Sequence, residues 1–284
     1  MTEFSRYWRV WLTFARNSLV RDMTFRMNFI LQAVSSLGWT AMNVGFYLII
    51  FQHTPSIGEG TGWDENRFFL FIATTWFINS IIQAFFMPNA QEFSELIRTG
   101  GLDFALLKPI DTQFLISFRK IDWSQLTNFL VGLAIAAVAL HRLANDPVQP
   151  MVPSPLALIL YGVFVICGVL IMYSLMITLS ATSVWLGRNQ SLYNFWFYIT
   201  NFSRYPMEIY DRGWGKPLYS VFTFVIPILV VVNVPARILA MPLSPRADWE
   251  WGIALWTALV TVLSLLVSRW LFRTSLKSYR SASS

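Results

Sequence analysis

Long apolar runs at Asn28–Phe51, Phe68–Met87, Trp123–Leu140, Ser154–Leu186 and Trp251–Phe272 dominate the chain, separated by short polar stretches. About 20 apolar residues, each rising roughly 1.5 Å, cross a bilayer core of about 30 Å, so each run predicts a transmembrane α-helix. Ser191–Pro235 is aromatic and apolar as well and must supply one further span. Closed β-barrels also satisfy every backbone group in lipid, but they read as short alternating segments, which these continuous runs are not.

Between the runs, two stretches carry helical periodicity. Phe4, Trp8, Trp11, Leu12, Ala15 and Leu19 recur on one helical face while Arg6, Arg9, Thr13 and Arg16 fall on the other, the pattern of an amphipathic interfacial helix over residues 1–27. Pro88 suits a first helical turn, Phe93, Leu96 and Ile97 gather on one side, and Thr99-Gly100-Gly101 stops the helix, so a short amphipathic helix is predicted over 88–98. Residues 187–249 admit two readings: a span at 191–205 followed by a re-entrant pair over 217–240, or a span at 218–234 with everything before it on the inner side.

Charge sets the orientation. Arg6, Arg9, Arg16, Arg21 and Arg26 precede the first run, whereas the loop after it holds Glu59, Asp64 and Glu65. Arg98, Lys108, Arg119 and Lys120 follow the second run, and Arg269, Arg273, Lys277 and Arg280 close the chain. The positive-inside rule therefore predicts both ends in the cytoplasm and an even number of spans. Only 13% of residues are charged against 55% hydrophobic, far from a soluble composition. The formal charge of +6 is clustered beside apolar runs, which excludes a nucleic-acid stripe and indicates anionic lipid. The expected whole is an all-α integral membrane protein: an entry helix at 1–27, a six-helix domain at 28–272 with spans near 28–51, 68–87, 123–140, 154–186, 191–205 and 251–272, and a tail at 273–284. It is expected as a multi-pass protein of the cell membrane.

Catalytic chemistry is scarce. Cys167 is the only cysteine, so no disulfide forms within the chain, and His53 and His141 lie in loops far from any acidic cluster. No HExxH or GxSxG occurs, and Gly213-Trp214-Gly215-Lys216-Pro217 lacks the spacing of a phosphate loop. No catalytic residue and no metal ligand is expected. The spans carry neutral polar groups instead, including Asn43, Asn79, Gln83, Gln125 and Asn128; such groups bond neighbouring helices or line a route through them.

One cytoplasmic run, Ile97-Arg98-Thr99-Gly100-Gly101-Leu102-Asp103-Phe104-Ala105-Leu106-Leu107-Lys108-Pro109-Ile110, is similar to the G-x-L-D-x-x-L-L-x-P signature of the membrane subunits of type 2 ABC exporters, the family that includes daunorubicin-type drug export permeases. Arg204-Tyr205-Pro206-Met207-Glu208-Ile209-Tyr210 resembles a second motif of that family. The resemblance implies that residues 88–98 form a coupling helix docking on a separate ATPase subunit through Glu92, Phe93, Glu95, Leu96 and Arg98. Gly100, Gly101, Leu102, Asp103, Leu107 and Pro109 would fix its pose. Arg204 and Pro206 would mark the outer interface, and Asn43, Asn79, Gln83 and Asn201 are candidates for the translocation path. The family also favours the fifth span at 191–205 with re-entrant outer helices after it. It implies two ATPase subunits that hold the ATP and Mg, a second permease subunit, identical or homologous, and no cofactor on this chain. A non-transporting membrane scaffold and an ion-coupled carrier are the competing readings.

Overall fold

A computed structural model describes residues 3–58, 60–147, 149–186, 190–242 and 249–279, and every regular element among them is helical. In chain order these are α1 (Glu3–Thr24), α2 (Arg26–His53), α3 (Glu65–Ile81), a π turn (Ile82–Phe86), α4 (Met87–Arg98), α5 (Gly101–Leu106), α6 (Thr112–Phe118), α7 (Leu126–Ala144), α8 (Pro155–Leu186), α9 (Gln190–Asn201), α10 (Lys216–Ser220), a second π turn (Val221–Val225), α11 (Leu229–Ala240) and α12 (Trp249–Ser278). Residues 280–284 of the expected tail lie outside the described residues.

Among the described residues, five helices are long and apolar enough to cross a membrane: Arg26–His53, Glu65–Arg98, Trp123–Ala144, Pro155–Leu186 and Trp251–Ser278. The second of these joins α3, the π turn and α4 into one 34-residue unit, so the helix expected at 88–98 is α4, running on through the π turn from the span before it. A sixth crossing length comes from Gly213–Val225 and Leu229–Ala240, two pieces bent by 89°. The span expected at 191–205 coincides with the 12-residue α9 and a 3-10 turn at Phe202–Arg204. At roughly 18 Å, α9 alone is shorter than a bilayer core.

Prolines explain the breaks. Pro88 has no N–H for the carbonyl of Ala84 four residues earlier, and its ring crowds that carbonyl, so the helix widens into a π turn just before it. The freed Ala84 carbonyl accepts instead from the Asp122 N–H at 2.8 Å. Next to it, Asn89 donates to the Lys120 carbonyl at 2.7 Å and accepts from the Lys120 N–H at 2.8 Å. A defect in one helix has become the dock for another segment. Pro227 acts similarly: Ile226 before it is pushed to φ −117°, ψ 88°, and the chain turns sharply there.

α3 is the central helix, buried from Phe68 through Thr75, and it lies against α7 and α11. Asp64 caps it by accepting from the Arg67 N–H at 2.9 Å. α8 packs on α12 and α11. At Gly168 the α8 backbone comes so close to α11 that an added Cβ would lie 2.6 Å from the Val231 carbonyl oxygen. That carbonyl is the one left without its i+4 donor by Pro235, so a small residue and a proline meet where two backbones touch. By contrast α2 has no buried residue, and its apolar face is left for lipid or another subunit.

Contacts define two ends of the bundle. At the basic end, Trp123 Nε1 donates to the Ala15 carbonyl at 3.3 Å, Ser18 Oγ accepts from the Ile121 N–H at 3.1 Å, and Phe93 packs on Phe272. α1 is therefore fastened along Ala15 and Ser18, leaving Phe4, Trp8, Leu12 and Leu19 exposed on its outer side, as an interfacial helix requires. At the opposite, loop end, Arg142 pairs with Glu65 at 3.2 Å, and fully buried Trp63 donates to Glu208 at 3.2 Å.

Candidate functional site

A cavity of about 220 Å³ opens between α2, α3 with its π turn, α7 and α9. Its wall includes Ser36, Trp39 and Thr40 from α2, Trp76, Asn79, Ser80 and Gln83, Gln125 and Asn128 from the start of α7, and Trp196, Phe197, Thr200 and Arg204. Ser36 lies ten residues into the 28-residue α2, roughly 15 Å along it, so the cavity sits within the span and not at its mouth.

One side of the cavity is bonded in advance. Ser36 donates to Asn128, Asn128 donates to Gln125 at 3.0 Å, and Gln125 donates to Asp122 at 3.3 Å. The facing side is not. Asn79 and Gln83 make no side-chain hydrogen bond among the described residues, and Ser80 Oγ and Trp196 Nε1, sealed just behind the wall, have no partner among the described residues. An unmet buried N–H or O–H costs roughly 1–3 kcal/mol, a cost that core positions seldom carry. Arg204 reaches the same wall with its guanidinium 5.9 Å from the Phe197 ring centroid, and no carboxylate lines the cavity.

Of the residues expected on a translocation path, Asn79 and Gln83 thus meet here. Asn43 bonds back to the Trp39 carbonyl at 2.8 Å and lies off the wall, as does Asn201. Arg204, expected at the outer interface, also faces the cavity. Pro206 is buried beside Met207, whose N–H donates to Asn233 at 2.7 Å, and Glu208 pairs with Arg237. That motif pins residues 205–208 onto α11. The tryptophans and Gln125 and Asn128 were each visible as residues; only their convergence from four helices was not.

The second cluster lies at the basic end. Gly100 adopts φ 72°, a left-handed turn that separates α4 from α5 and that glycine takes without strain. Leu102 and Ala105 of α5 face inward onto a core containing Phe93, Ile97, Leu115, Ile116, Ile177 and Phe272. Phe104 and Leu107 face outward, 73% and 82% exposed. Among the residues expected to meet a partner, Glu95 and Arg98 are exposed and paired with each other, while Glu92 pairs with Lys120 at 3.1 Å and Arg119 at 3.6 Å. Leu96 is half-buried, and Phe93 is sealed inside at 1% exposure, which removes it from any docking face. Gly101 and Leu102 shape α5, Asp103 lies beside the Tyr279 hydroxyl, and Pro109 is exposed.

Arg269 of α12 locks this cluster to the bundle. It pairs with Asp111 and donates to Gln113 at 2.7 Å; Gln113 donates to the Tyr173 hydroxyl at 3.0 Å. The Arg269 guanidinium, helped by the Phe114 N–H that Asp111 caps, holds the Asp111 carboxyl below the usual aspartate range. Among the described residues no three of His, Cys, Asp and Glu converge as metal ligands.

The family model described as ABC-2 family transporter protein matches residues 37–283. No curated protein and no solved structure matches the chain.

Proposed function

This chain belongs to the ABC-2 family of transporter membrane proteins, and from that premise we propose that it is the permease subunit of an ATP-driven exporter in the cell membrane. Two such permeases, identical or homologous, form the route. Two separate ATPase subunits bind ATP and Mg and drive it. The chain is a multi-pass membrane protein, and its basic end, with both termini, faces the cytoplasm on the positive-inside argument.

The observation that carries the reading is the outward pair Phe104 on α5 and Leu107 at its C-cap. Neither lies on a lipid-facing span; both project from a short helix at the basic end whose other face is anchored by Leu102 and Ala105. An exposed aromatic and a leucine on a rigid element are the anchors that protein interfaces use. Glu95 and Arg98 flank them and supply a polar rim.

Co-purification with the ATPase subunit tests this. Phe104→Asp with Leu107→Asp is expected to cut ATPase recovery at least tenfold and to abolish cargo-stimulated ATP hydrolysis, with the permease still inserted and its melting temperature unchanged. Undiminished recovery would overturn the reading. Phe93→Asp is expected to lower the permease's own stability first, because Phe93 is a core residue.

A further inference from the structure

The wall that holds Asn79, Gln83 and Arg204 presents two unpaired amides and a guanidinium to the cavity. The amides of Asn79 and Gln83 offer both donors and acceptors, and Arg204 brings a planar cation with five N–H groups. Nothing acidic on this wall answers them. The ligand must therefore be rich in oxygen acceptors and carry negative charge. Trp39, Trp76 and Trp196 add indole surfaces on which the C–H face of a saturated hydroxylated ring can lie. At about 220 Å³ the cavity is below the roughly 300–1,000 Å³ of drug-sized pockets, and it suits one six-membered ring with its substituents. A cationic amphiphile would face Arg204 with no counter-charge.

We propose that this cavity binds one anionic, hydroxylated ring, a sugar or cyclitol bearing a carboxylate or phosphate. As a statement about cargo, the inference rests on the permease reading; as a statement about a binding site, it stands by itself. The same chemistry is offered by a free sugar acid and by an inositol-type lipid headgroup. Arg204 holds the anion, the indole faces carry the ring, and Asn79 and Gln83 hydrogen-bond its hydroxyls.

The full-length chain, purified in detergent and in lipid nanodiscs, is titrated with myo-inositol 1-phosphate, myo-inositol and glucuronate while its tryptophan fluorescence is followed. In a parallel arm, nanodiscs of phosphatidylinositol are compared with nanodiscs of phosphatidylcholine by thermal stability. The phosphorylated cyclitol is expected to bind about tenfold more tightly than the neutral one, and Arg204→Gln to bring that ratio close to one. Gln83→Leu removes an amide without a partner among the described residues, so it is expected to keep or raise the melting temperature of the free chain while weakening the ligand about fivefold. A merely structural Gln83 would not move the two in opposite directions. Response in the soluble arm assigns a free solute, and response in the lipid arm alone assigns a headgroup. Absence of binding in both arms, an equal affinity for charged and neutral rings, or an Arg204→Gln variant with an unchanged ratio overturns the proposal. ATPase recovery, measured on the same preparations, separates the two readings: recovery without ring binding sinks this site alone, and ring binding without recovery sinks the permease reading alone.

Discussion

Arg269 and Asp111 show how single side chains tie the chain's soluble corner to its membrane core. Asp111 caps α6 and holds Arg269 of α12, and both are about one-third exposed, so the pair is screened and contributes on the order of 1 kcal/mol. Asp111→Asn is expected to lower the melting temperature at pH 7 by about 2–4 °C. The sign with pH follows from the lowered Asp111 acidity: its stabilisation is fully present above the ordinary aspartate value of about 3.9 and is lost as pH falls through the lower folded value. Melting curves of the two proteins should therefore run parallel at neutral pH and converge on acidification. Gly168→Ala carries a different expectation. Its methyl would press on the Val231 carbonyl and cost about 1–3 kcal/mol, whereas Gly162→Ala on the same helix meets nothing within 4 Å and should be close to neutral. Comparing the two melting temperatures checks whether α8 and α11 touch where described. Neither the Asp111–Arg269 pair nor the Gly168 contact is legible in the sequence, because partners 158 residues apart leave no periodic trace.

Elements with strong hydropathy were legible almost to their ends: the run Asn28–Phe51 is α2, and Ser154–Leu186 is α8. The stop at Thr99-Gly100-Gly101 was legible too, because a left-handed glycine has a chemical reason to be there. The region after α8 was not. Residues 190–240 fold as three short helices and two kinds of turn, and hydropathy averaged over a span-sized window cannot see a proline-driven bend of 89°. At the docking corner, the apolar side of α4 was readable as a stripe, but a stripe does not say whether its cover is this chain or another. Phe93 turned out to be covered by Phe272, and the apolar side chains left outward are Phe104 of α5 and Leu107 at its C-cap. Pro88→Ala tests the π turn as an element. Alanine returns an N–H to the Ala84 carbonyl that the Asp122 N–H now occupies. The variant is expected to keep or gain thermal stability while α4 shifts relative to residues 119–122, read as reduced ATPase recovery.

For the molecule as a whole, the two-ended layout follows from charge and from contacts independently. Arg-rich segments cluster where α1, residues 119–123 and α12 meet, and acidic loops where Trp63, Glu208 and Arg237 meet. In a Cys167→Ser background, a cysteine placed at Ser56 should react with a membrane-impermeant maleimide in intact cells, and one placed at Leu107 only after permeabilisation. Labelling of Leu107 from outside would reverse the topology. Between these ends, the unit Glu65–Arg98 carries Asn79 and Gln83 at the cavity and leads directly into α5. From Asn79 to Arg98 the unit runs about 28 Å, so a tilt of about 5° at the cavity displaces its tip by about 2.5 Å. An occupant that presses on Asn79 or Gln83 therefore pushes against a helix jointed at Ile82–Phe86, and the far arm of that joint carries the Gly100 turn from which Phe104 projects, so the cavity and the exposed corner are two ends of one lever.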